Sequence, residues 1–501
     1  MGNKYYISCK VELECEPMNK KINSIKRISA VLLILSMLFG CVGCSSNSSD
    51  SQASGQNVEA TDKNGSDSNI EETASAEDET ESDDEVVSSE NTQEAEEAAE
   101  DNVVPALRDA IKNNIDCRIG AAVTLDEIND EKVWNIITTH FETVTFGNEL
   151  KPDALFGYSN SKCPGIETAE VDGNTIEVPV MDYTRAEKML DKILDWNTDN
   201  PDRIIKVRGH VLVWHSQTPE WFFHEGYDKK NPYVNKDVMN LRLEWYIKTV
   251  LTHFTGEDSK YKGMFYGWDV VNEAVSDNGG KYRSENENPS ESLSMDRHGS
   301  NSSWWAVYGS EEYIVNAFKY ANKYAPEELE LYYNDYNECN AVKRSGIVKL
   351  LETVKAAEGE PGTGTRITAM GMQGHYDMSD PNISLVQTSI EEYARVVTNV
   401  QITEMDLKAS SDYDGTDETR DDEYEKQRKR YNTLLYAIKA ANSETDVNVT
   451  GITFWGTVDK YSWLQNSSNV GGGNTSRTSQ CPLLFDNDYE PKPCFWVFAQ
   501  E

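Results

Sequence analysis

The chain is short of basic residues, which limits what it can bind. Its 501 residues include 47 Lys and Arg against 86 Asp and Glu, a formal net charge of −39. We expect no nucleic-acid partner, because a face that binds phosphates needs clustered positive charge. The substrate is expected to be neutral, or to be bound through hydrogen bonds and stacking on aromatic side chains.

The front of the chain lacks the side chains that a folded core needs. Between Ser45 and Val104 there are nineteen acidic residues and one basic residue, Lys63, a net charge of −18. Large aliphatic and aromatic residues are almost absent there, so apolar burial could not offset the entropy lost on ordering. The sequence therefore predicts a disordered acidic linker over residues 45–102 and a folded domain over residues 103–501.

The chain has nine cysteines, and those beyond residue 44 show no spacing typical of a zinc site. Four fall within residues 1–44, and an odd number remains, which argues against a complete disulfide framework. The remaining five are Cys117, Cys163, Cys339, Cys481 and Cys494. A Cys481–Cys494 bridge is left open, and we expect no metal and no cofactor.

A single apolar run near the start, residues 28–39, is too short to span a bilayer comfortably. A basic segment that begins at Met18, the expected true start, precedes it, which is typical of a secretory signal peptide. The residues that follow resemble a bacterial lipoprotein processing box with two candidate cysteines, Cys41 and Cys44. Cys41 fits better, because Leu38 stands three residues before it.

Residues 1–44 are accordingly predicted to be a signal peptide with a processing site. We expect an extracellular protein that is tethered to the bacterial cell membrane by a lipid on Cys41 and has no other membrane contact. Ordinary cleavage with release of the chain is the alternative.

Beyond the linker, eight short apolar runs alternate with longer amphipathic stretches. The runs, each predicted to be a strand, are Cys117–Val123, Phe141–Phe146, Ile204–Val213, Gly267–Val271, Leu329–Tyr333, Arg366–Met372, Val396–Ile402 and Val449–Phe454. The helical stretches include Leu241–Phe254, Tyr313–Tyr324, Ser345–Ala357 and Tyr424–Ala441. This alternation predicts a single α/β domain, a (β/α)8 TIM barrel. Long loops, residues 159–180, 276–303 and 408–422, follow three of the strands and are expected to build the active face.

Two of the predicted strands end in a carboxylate. Glu273 follows the fourth strand and Glu404 the seventh. In such a barrel the last residues of the strands surface at the catalytic rim, so the two carboxylates suggest paired acid and nucleophile chemistry. Asn272 precedes Glu273, and an amide at this point can bind a substrate hydroxyl more tightly as the transition state forms.

Polar and aromatic residues also follow the third, sixth and eighth strands. His210, Trp214, His215 and Gln217 crowd the third, which indicates a polar pocket with an aromatic wall, and Trp455 and Trp463 follow the eighth. Because neighbouring strands place their ends side by side, we expect His375, after the sixth strand, to hydrogen-bond Glu404 and keep it ionised.

From about Val103 to Glu501 the chain resembles the family 10 glycoside hydrolases, the endo-1,4-β-xylanases. The matching segments are Asn148–Lys151, Arg208–His210, Trp214–Gln217, Trp268–Glu273, Tyr333–Asn337, Gln373–His375 and Thr403–Asp406, with Trp455 and Trp463. The resemblance implies that Glu273 is the general acid/base and Glu404 the nucleophile, with His215 and Asp406 in support. It implies substrate binding on the non-reducing side of the scissile bond by Asn148, Lys151, His210, Trp214, Gln217, Asn272, Gln373, His375, Trp455 and Trp463, with Tyr336 in the same wall.

The reaction that this resemblance implies is endo-hydrolysis of xylan and xylo-oligosaccharides by a monomer, with retained configuration through a covalent glycosyl-enzyme. Retention needs the two carboxyl groups about 5–5.5 Å apart. The chain departs from the common family pattern at Gly147, where many members have Glu, and at Leu464, where Arg is common. Two alternatives are a β-1,4-glucanase of the same barrel group and a surface glycan-binding lipoprotein without catalysis.

Overall fold

The computed structural model describes residues 104–284, 302–465 and 479–500. The predicted signal peptide, the lipid site at Cys41 and the whole acidic linker, residues 45–102, lie outside the described residues and stay predictions, as does the domain boundary near residue 103. Among the helices of the described ranges, none combines the length and the hydropathy needed to cross a membrane.

Eight parallel strands in the described residues close into a barrel. They are β1 (Arg118–Val123), β2 (Thr143–Phe146), β3 (Lys206–Gly209), β4 (Phe265–Asn272), β5 (Glu330–Asp335), β6 (Ala369–Met372), β7 (Asn399–Lys408) and β8 (Val449–Phe454). Each strand pairs in parallel with the next, and β8 returns to pair with β1. The predicted TIM barrel is therefore confirmed.

Each strand is followed by a helix that covers the outside of the barrel. The helices are α1 (Glu131–His140), α2 (Thr184–Asp199), α3 (Lys236–Thr255), α4 (Glu312–Tyr324), α5 (Ala341–Ala356), α6 (Ile383–Ala394), α7 (Asp417–Asn442) and α8 (Phe495–Ala499). Short α-helical turns lie at Leu107–Ala110, Leu125–Ile128, Pro152–Leu155 and Ser303–Tyr308. Single 3₁₀ turns lie at Ile111–Asn113, Glu220–Phe223, Glu225–Tyr227, Asp459–Tyr461 and Trp463–Gln465.

The apolar patterning accounts for this arrangement. All four residues of β2 and of β6 are buried, as are the eight central residues of β7, because parallel strands are covered on both faces. The helices bury a single stripe each. In α4 the buried positions include Tyr313, Ala317 and Ala321, spaced four residues apart on one face.

The structure differs from the sequence prediction in one loop and in one strand. Residues 159–180 were expected to be irregular but contain an antiparallel hairpin, Ile166–Val171 with Asn174–Pro179. Its strands are largely exposed, so they lack the apolar signal on which strand prediction depends. The predicted strand Ile204–Val213 is also interrupted, since β3 ends at Gly209 and a two-residue strand, Val213–Trp214, pairs separately with β4.

The cysteines of the described residues are all free. Cys494 Sγ donates to Gln427 Oε1 at 3.3 Å, and the bridge to Cys481 that the sequence left open is not formed. Burial raises the pKa of Cys481 and of Cys494 to about 12, which keeps both thiols protonated and unreactive.

Candidate active site

A cleft of about 690 Å³ lies at the carboxyl ends of the barrel strands. Thirteen residues that the sequence analysis named line it together: Asn148, Lys151, His210, Trp214, Gln217, Asn272, Glu273, Tyr336, Gln373, His375, Glu404, Trp455 and Trp463. Nine further residues complete the lining: Ala122, Val123, Thr124, Glu127, Gly147, Asn337, Lys408, Gly456 and Tyr461. Residues that are up to 341 positions apart in sequence, Ala122 and Trp463, therefore converge on one surface.

Glu273 leaves β4 in the left-handed backbone region, with φ at 56°. This conformation is uncommon for a residue with a side chain and ends the strand. Its carboxylate accepts hydrogen bonds from Trp214 Nε1 at 2.9 Å and from Gln373 Nε2 at 3.0 Å. The predicted supporting residue His215 lies beside Glu273, with its Nδ1 3.9 Å from Oε2 of the same carboxylate.

Glu404 is the more buried carboxylate, with 4% of its surface exposed. Asn334 Nδ2 donates to its Oε1 at 2.8 Å, and His375 Nε2 lies 3.2 Å from its Oε2, so the predicted contact is confirmed. Burial alone would raise the pKa of Glu404. The hydrogen bond from His375 and the electrostatic effect of His210 outweigh it and lower the pKa to about 2.

His375 is held between two carboxylates. Its Nε2 faces Glu404, while its Nδ1 lies 3.0 Å from Asp406 Oδ1. Burial would lower its pKa, but Asp406 and Glu404 raise the pKa to about 10, so the imidazolium persists at neutral pH. Asp406 also accepts a hydrogen bond from Trp463 Nε1 at 2.7 Å. A continuous series of contacts therefore joins Glu404, His375, Asp406 and Trp463.

A network of side-chain amides joins the two carboxylates. Asn334, on β5, donates to Asn272 Oδ1 at 2.9 Å as well as to Glu404. Asn272 and Gln373 in turn donate to Glu273 Oε1, at 3.2 and 3.0 Å. Amide donors directed at both carboxylates keep their oxygens in fixed positions relative to each other.

Beneath this network lies a buried ionic group. Asp269, on β4, pairs with Arg208 and accepts from His210 Nδ1 at 2.8 Å. All three side chains are at most 2% exposed. Since Asp269 fixes one nitrogen of His210, the imidazole ring is held in one orientation at the cleft surface.

Three hydrogen-bonded polar side chains form the side of the cleft next to the end of β2. Lys151 Nζ donates to Gln217 Oε1 at 3.0 Å and to Asn148 Oδ1 at 3.3 Å, and it lies 5.1 Å from the centre of the Trp214 ring. Burial lowers the pKa of Lys151, although Glu404 acts in the opposite direction. These donors and acceptors beside an indole face suit a sugar ring with several hydroxyls.

Tyr336 lies on the opposite side. Its hydroxyl donates to Asp277 Oδ2 at 2.8 Å, and Lys343 Nζ lies 3.5 Å above its ring. Asn334 and Asp269 both lie in segments that match the family, but neither received a role from the sequence. Both carry a readable signal, since each is a polar residue inside a strand that is otherwise buried.

A (β/α)8 barrel whose aromatic cleft holds a pair of carboxylates at the carboxyl ends of its strands has the features of a glycoside-cleaving enzyme. Comparison with known proteins narrows the class. The model for glycosyl hydrolase family 10 matches residues 106–501, and the chain belongs to this family.

Two curated relatives and one solved structure illustrate the likeness. An endo-1,4-beta-xylanase of Geobacillus stearothermophilus is 31% identical over 78% of this chain and 97% of its own length. The bifunctional endo-1,4-beta-xylanase XylA of Ruminococcus flavefaciens is 31% identical over 75% of this chain, which spans only 32% of that protein. The intracellular xylanase TsXylA of Thermoanaerobacterium saccharolyticum, solved as a variant complexed with xylotetraose, is 30% identical with a TM-score of 0.59, covering 79% of this chain and 99% of that one.

Proposed function

We propose that this protein is an endo-1,4-β-xylanase that hydrolyses internal β-1,4-xylosidic bonds of xylan with retention of configuration. The observation that carries the proposal is the convergence of Glu273 and Glu404 on one open cleft, joined by the amide network described above. Family membership and relatives named as xylanases support the choice of substrate. Neither the glucanase alternative nor the non-catalytic alternative is favoured by these findings.

In the first step Glu404 attacks the anomeric carbon while Glu273 protonates the departing glycosidic oxygen. The low pKa of Glu404, about 2, keeps the attacking group ionised across the neutral range. In the second step Glu273 removes a proton from water, which attacks the glycosyl-enzyme and restores the original configuration. Trp455 and Trp463 border the cleft and offer aromatic faces for sugar stacking.

The test is release of reducing sugar from xylan and from soluble cellulose by the full chain. We expect xylan to be the better substrate and Glu404→Ala to abolish its hydrolysis. The control is Glu352→Ala, an exposed carboxylate on α5, which should retain full activity. Faster release from soluble cellulose, or binding of xylan without any product, would refute the proposal.

We further propose that the protein is a monomer tethered to the outside of a bacterial cell through a lipid on Cys41. The processing box supports the anchor, and the acidic segment 45–102 would give the domain a reach on the order of 40 Å. Membrane fractionation of Cys41→Ser and Cys44→Ser chains tests the anchor. We expect Cys41→Ser alone to remove the protein from the membrane fraction. Protein that stays in the membrane fraction after Cys41→Ser would contradict a lipid anchor on Cys41.

A further inference from the structure

A second cavity, of about 390 Å³, adjoins the catalytic cleft. The two cavities share three lining residues, Asn337, His375 and Lys408. The rest of the second lining comes from the segments that follow β4, β5 and β6, including Asp277 and Asp377. The cleft thus continues past the two carboxylates, across the half of the barrel rim that β4 to β7 provide.

The other end of the cleft is built by different strands. Asn148 and Lys151 follow β2, and Trp455 and Trp463 follow β8. In the closed barrel β8, β1 and β2 are neighbours, opposite β4 to β6. If the non-reducing end of a xylan molecule lies against these four residues, its reducing end therefore extends past Glu273 and Glu404 into the second cavity.

Lys408 lies where the reducing end of the xylan molecule would pass. It ends β7, two residues beyond Asp406 and four beyond Glu404, so the three share one face of the strand. Its side chain is half-buried and lines both cavities. Among the described residues no carboxylate forms an ion pair with it and no side chain or carbonyl accepts a hydrogen bond from it, in contrast to Lys151 and Lys343.

The carboxylates nearby are already engaged. Asp277 accepts from Tyr336 and lies 3.0 Å from Lys343 Nζ. Asp377 ends a three-residue strand, His375–Asp377, that pairs in parallel with β7 and places Asp377 beside Lys408. Its carboxylate accepts from the backbone nitrogens of Ser379 and Asp380 at 2.8 and 2.7 Å. The ammonium of Lys408 therefore keeps its three donors for a ligand, and sugar hydroxyl and ring oxygens are acceptors of the required kind.

We propose that the second cavity receives the sugar on the leaving-group side of the scissile bond and that Lys408 positions this sugar by hydrogen bonding. The inference rests on the proposed xylanase function and deepens it, since it adds a binding determinant on the side that the sequence resemblance left unassigned. Lys408 acts on substrate binding, and the bond-breaking steps remain with Glu273 and Glu404.

Two substrates separate this role from a structural one. Xylotetraose needs a sugar on both sides of the cleaved bond, whereas a nitrophenyl β-xylobioside has nitrophenol as its leaving group and no sugar there. In the full chain, Lys408→Met is expected to lower kcat/KM for xylotetraose about tenfold or more, the range for a hydrogen bond from a charged donor. Hydrolysis of the nitrophenyl substrate by Lys408→Met should stay within about twofold of its hydrolysis by the unmodified protein. This substrate has no sugar on the leaving-group side, so it makes no contact with Lys408 that the substitution could remove.

The matched control is Lys319→Met on α4, a half-buried lysine outside both cavities, which should leave both substrates unaffected. Unchanged xylotetraose hydrolysis in Lys408→Met would overturn the proposal. An equal loss on both substrates in Lys408→Met and in Lys408→Gln would overturn it too, because it would indicate damage to the shared site. If the unmodified protein cleaved neither substrate, the xylanase function itself would fail, a different result from either of these.

Discussion

At the residue scale, the difference between the two carboxylates follows from their neighbours. Glu404 is the more deeply buried but faces a charged histidine, which lowers its pKa to about 2. Glu273 faces the neutral donors of Trp214, Asn272 and Gln373. An ionised carboxylate suits the nucleophile, and the three hydrogen bonds hold the carboxylate of Glu273 in place at the cleft.

Replacing His375 tests how Glu404 stays ionised. In His375→Gln the carboxylate loses the imidazolium, so its pKa should rise by about one unit or more. The acid limb of kcat/KM against pH should move upward by the same amount. His253→Gln, which removes a surface histidine 3.1 Å from Glu187, should leave the limb in place. An unmoved acid limb in His375→Gln would contradict this account of Glu404.

The same histidine makes stability depend on pH. Because the folded-state pKa of His375 is raised from 6.5 to about 10, its ion pairs stabilise the fold fully below pH 6.5. That contribution is lost as the pH rises through 10. The difference in Tm between the unmodified protein and His375→Gln should accordingly be large at pH 6 and shrink by pH 10.5. A difference that is constant with pH would show that the histidine contributes by packing alone.

At the element scale, the strands were predictable because each is a short, nearly continuous apolar run. All eight appear where the sequence placed them, but β3 ends four residues earlier than predicted and β7 continues six residues further, to Lys408, so Glu404 lies within β7. The hairpin at Ile166–Pro179 was not predictable in this way, since both of its faces are largely exposed. The break after Gly209 depends on tertiary pairing of Val213 and Trp214 with β4, which no local pattern reports.

Gly209 itself has a packing role at the end of β3. A Cβ at this position would overlap the indole of Trp268, which is fully buried. Gly209→Ala should lower the free energy of unfolding by about 1–3 kcal/mol, the usual cost of overpacking. Urea denaturation measures this change in the free energy of unfolding. The control variant is Gly147→Ala, whose new methyl would meet the Thr124 methyl at 3.3 Å. Equal stability of the two variants would show that the indole can move aside.

At the scale of the whole molecule, the sequence predicted thirteen of the twenty-two residues that line the cleft but not the side-chain contacts between them. Strand-end positions brought thirteen named residues to one surface, because all parallel strands of a barrel end at the same rim. Asn334, Asp269 and Lys408 gain their importance from side-chain contacts, or from lacking them, across different strands. Such contacts depend on register and rotamer, which a single sequence does not report.

The change in composition near residue 103 predicts that the chain can be shortened there without loss of activity. If the catalytic domain is residues 103–501, removing everything before it should leave kcat/KM for soluble xylotetraose unchanged. Folding of the shortened chain is checked by its Tm. A fall in activity at unchanged Tm would mean that the acidic segment takes part in substrate binding.

The most direct test of the whole account is to trap the glycosyl-enzyme. A 2-deoxy-2-fluoro xylobioside with a good leaving group slows the second step, so the intermediate accumulates and intact-protein mass spectrometry detects it. Peptide mapping should place one sugar adduct on Glu404, the carboxylate within β7 whose pKa is about 2. An adduct on any other residue, or turnover of the reagent without an adduct, would contradict the account.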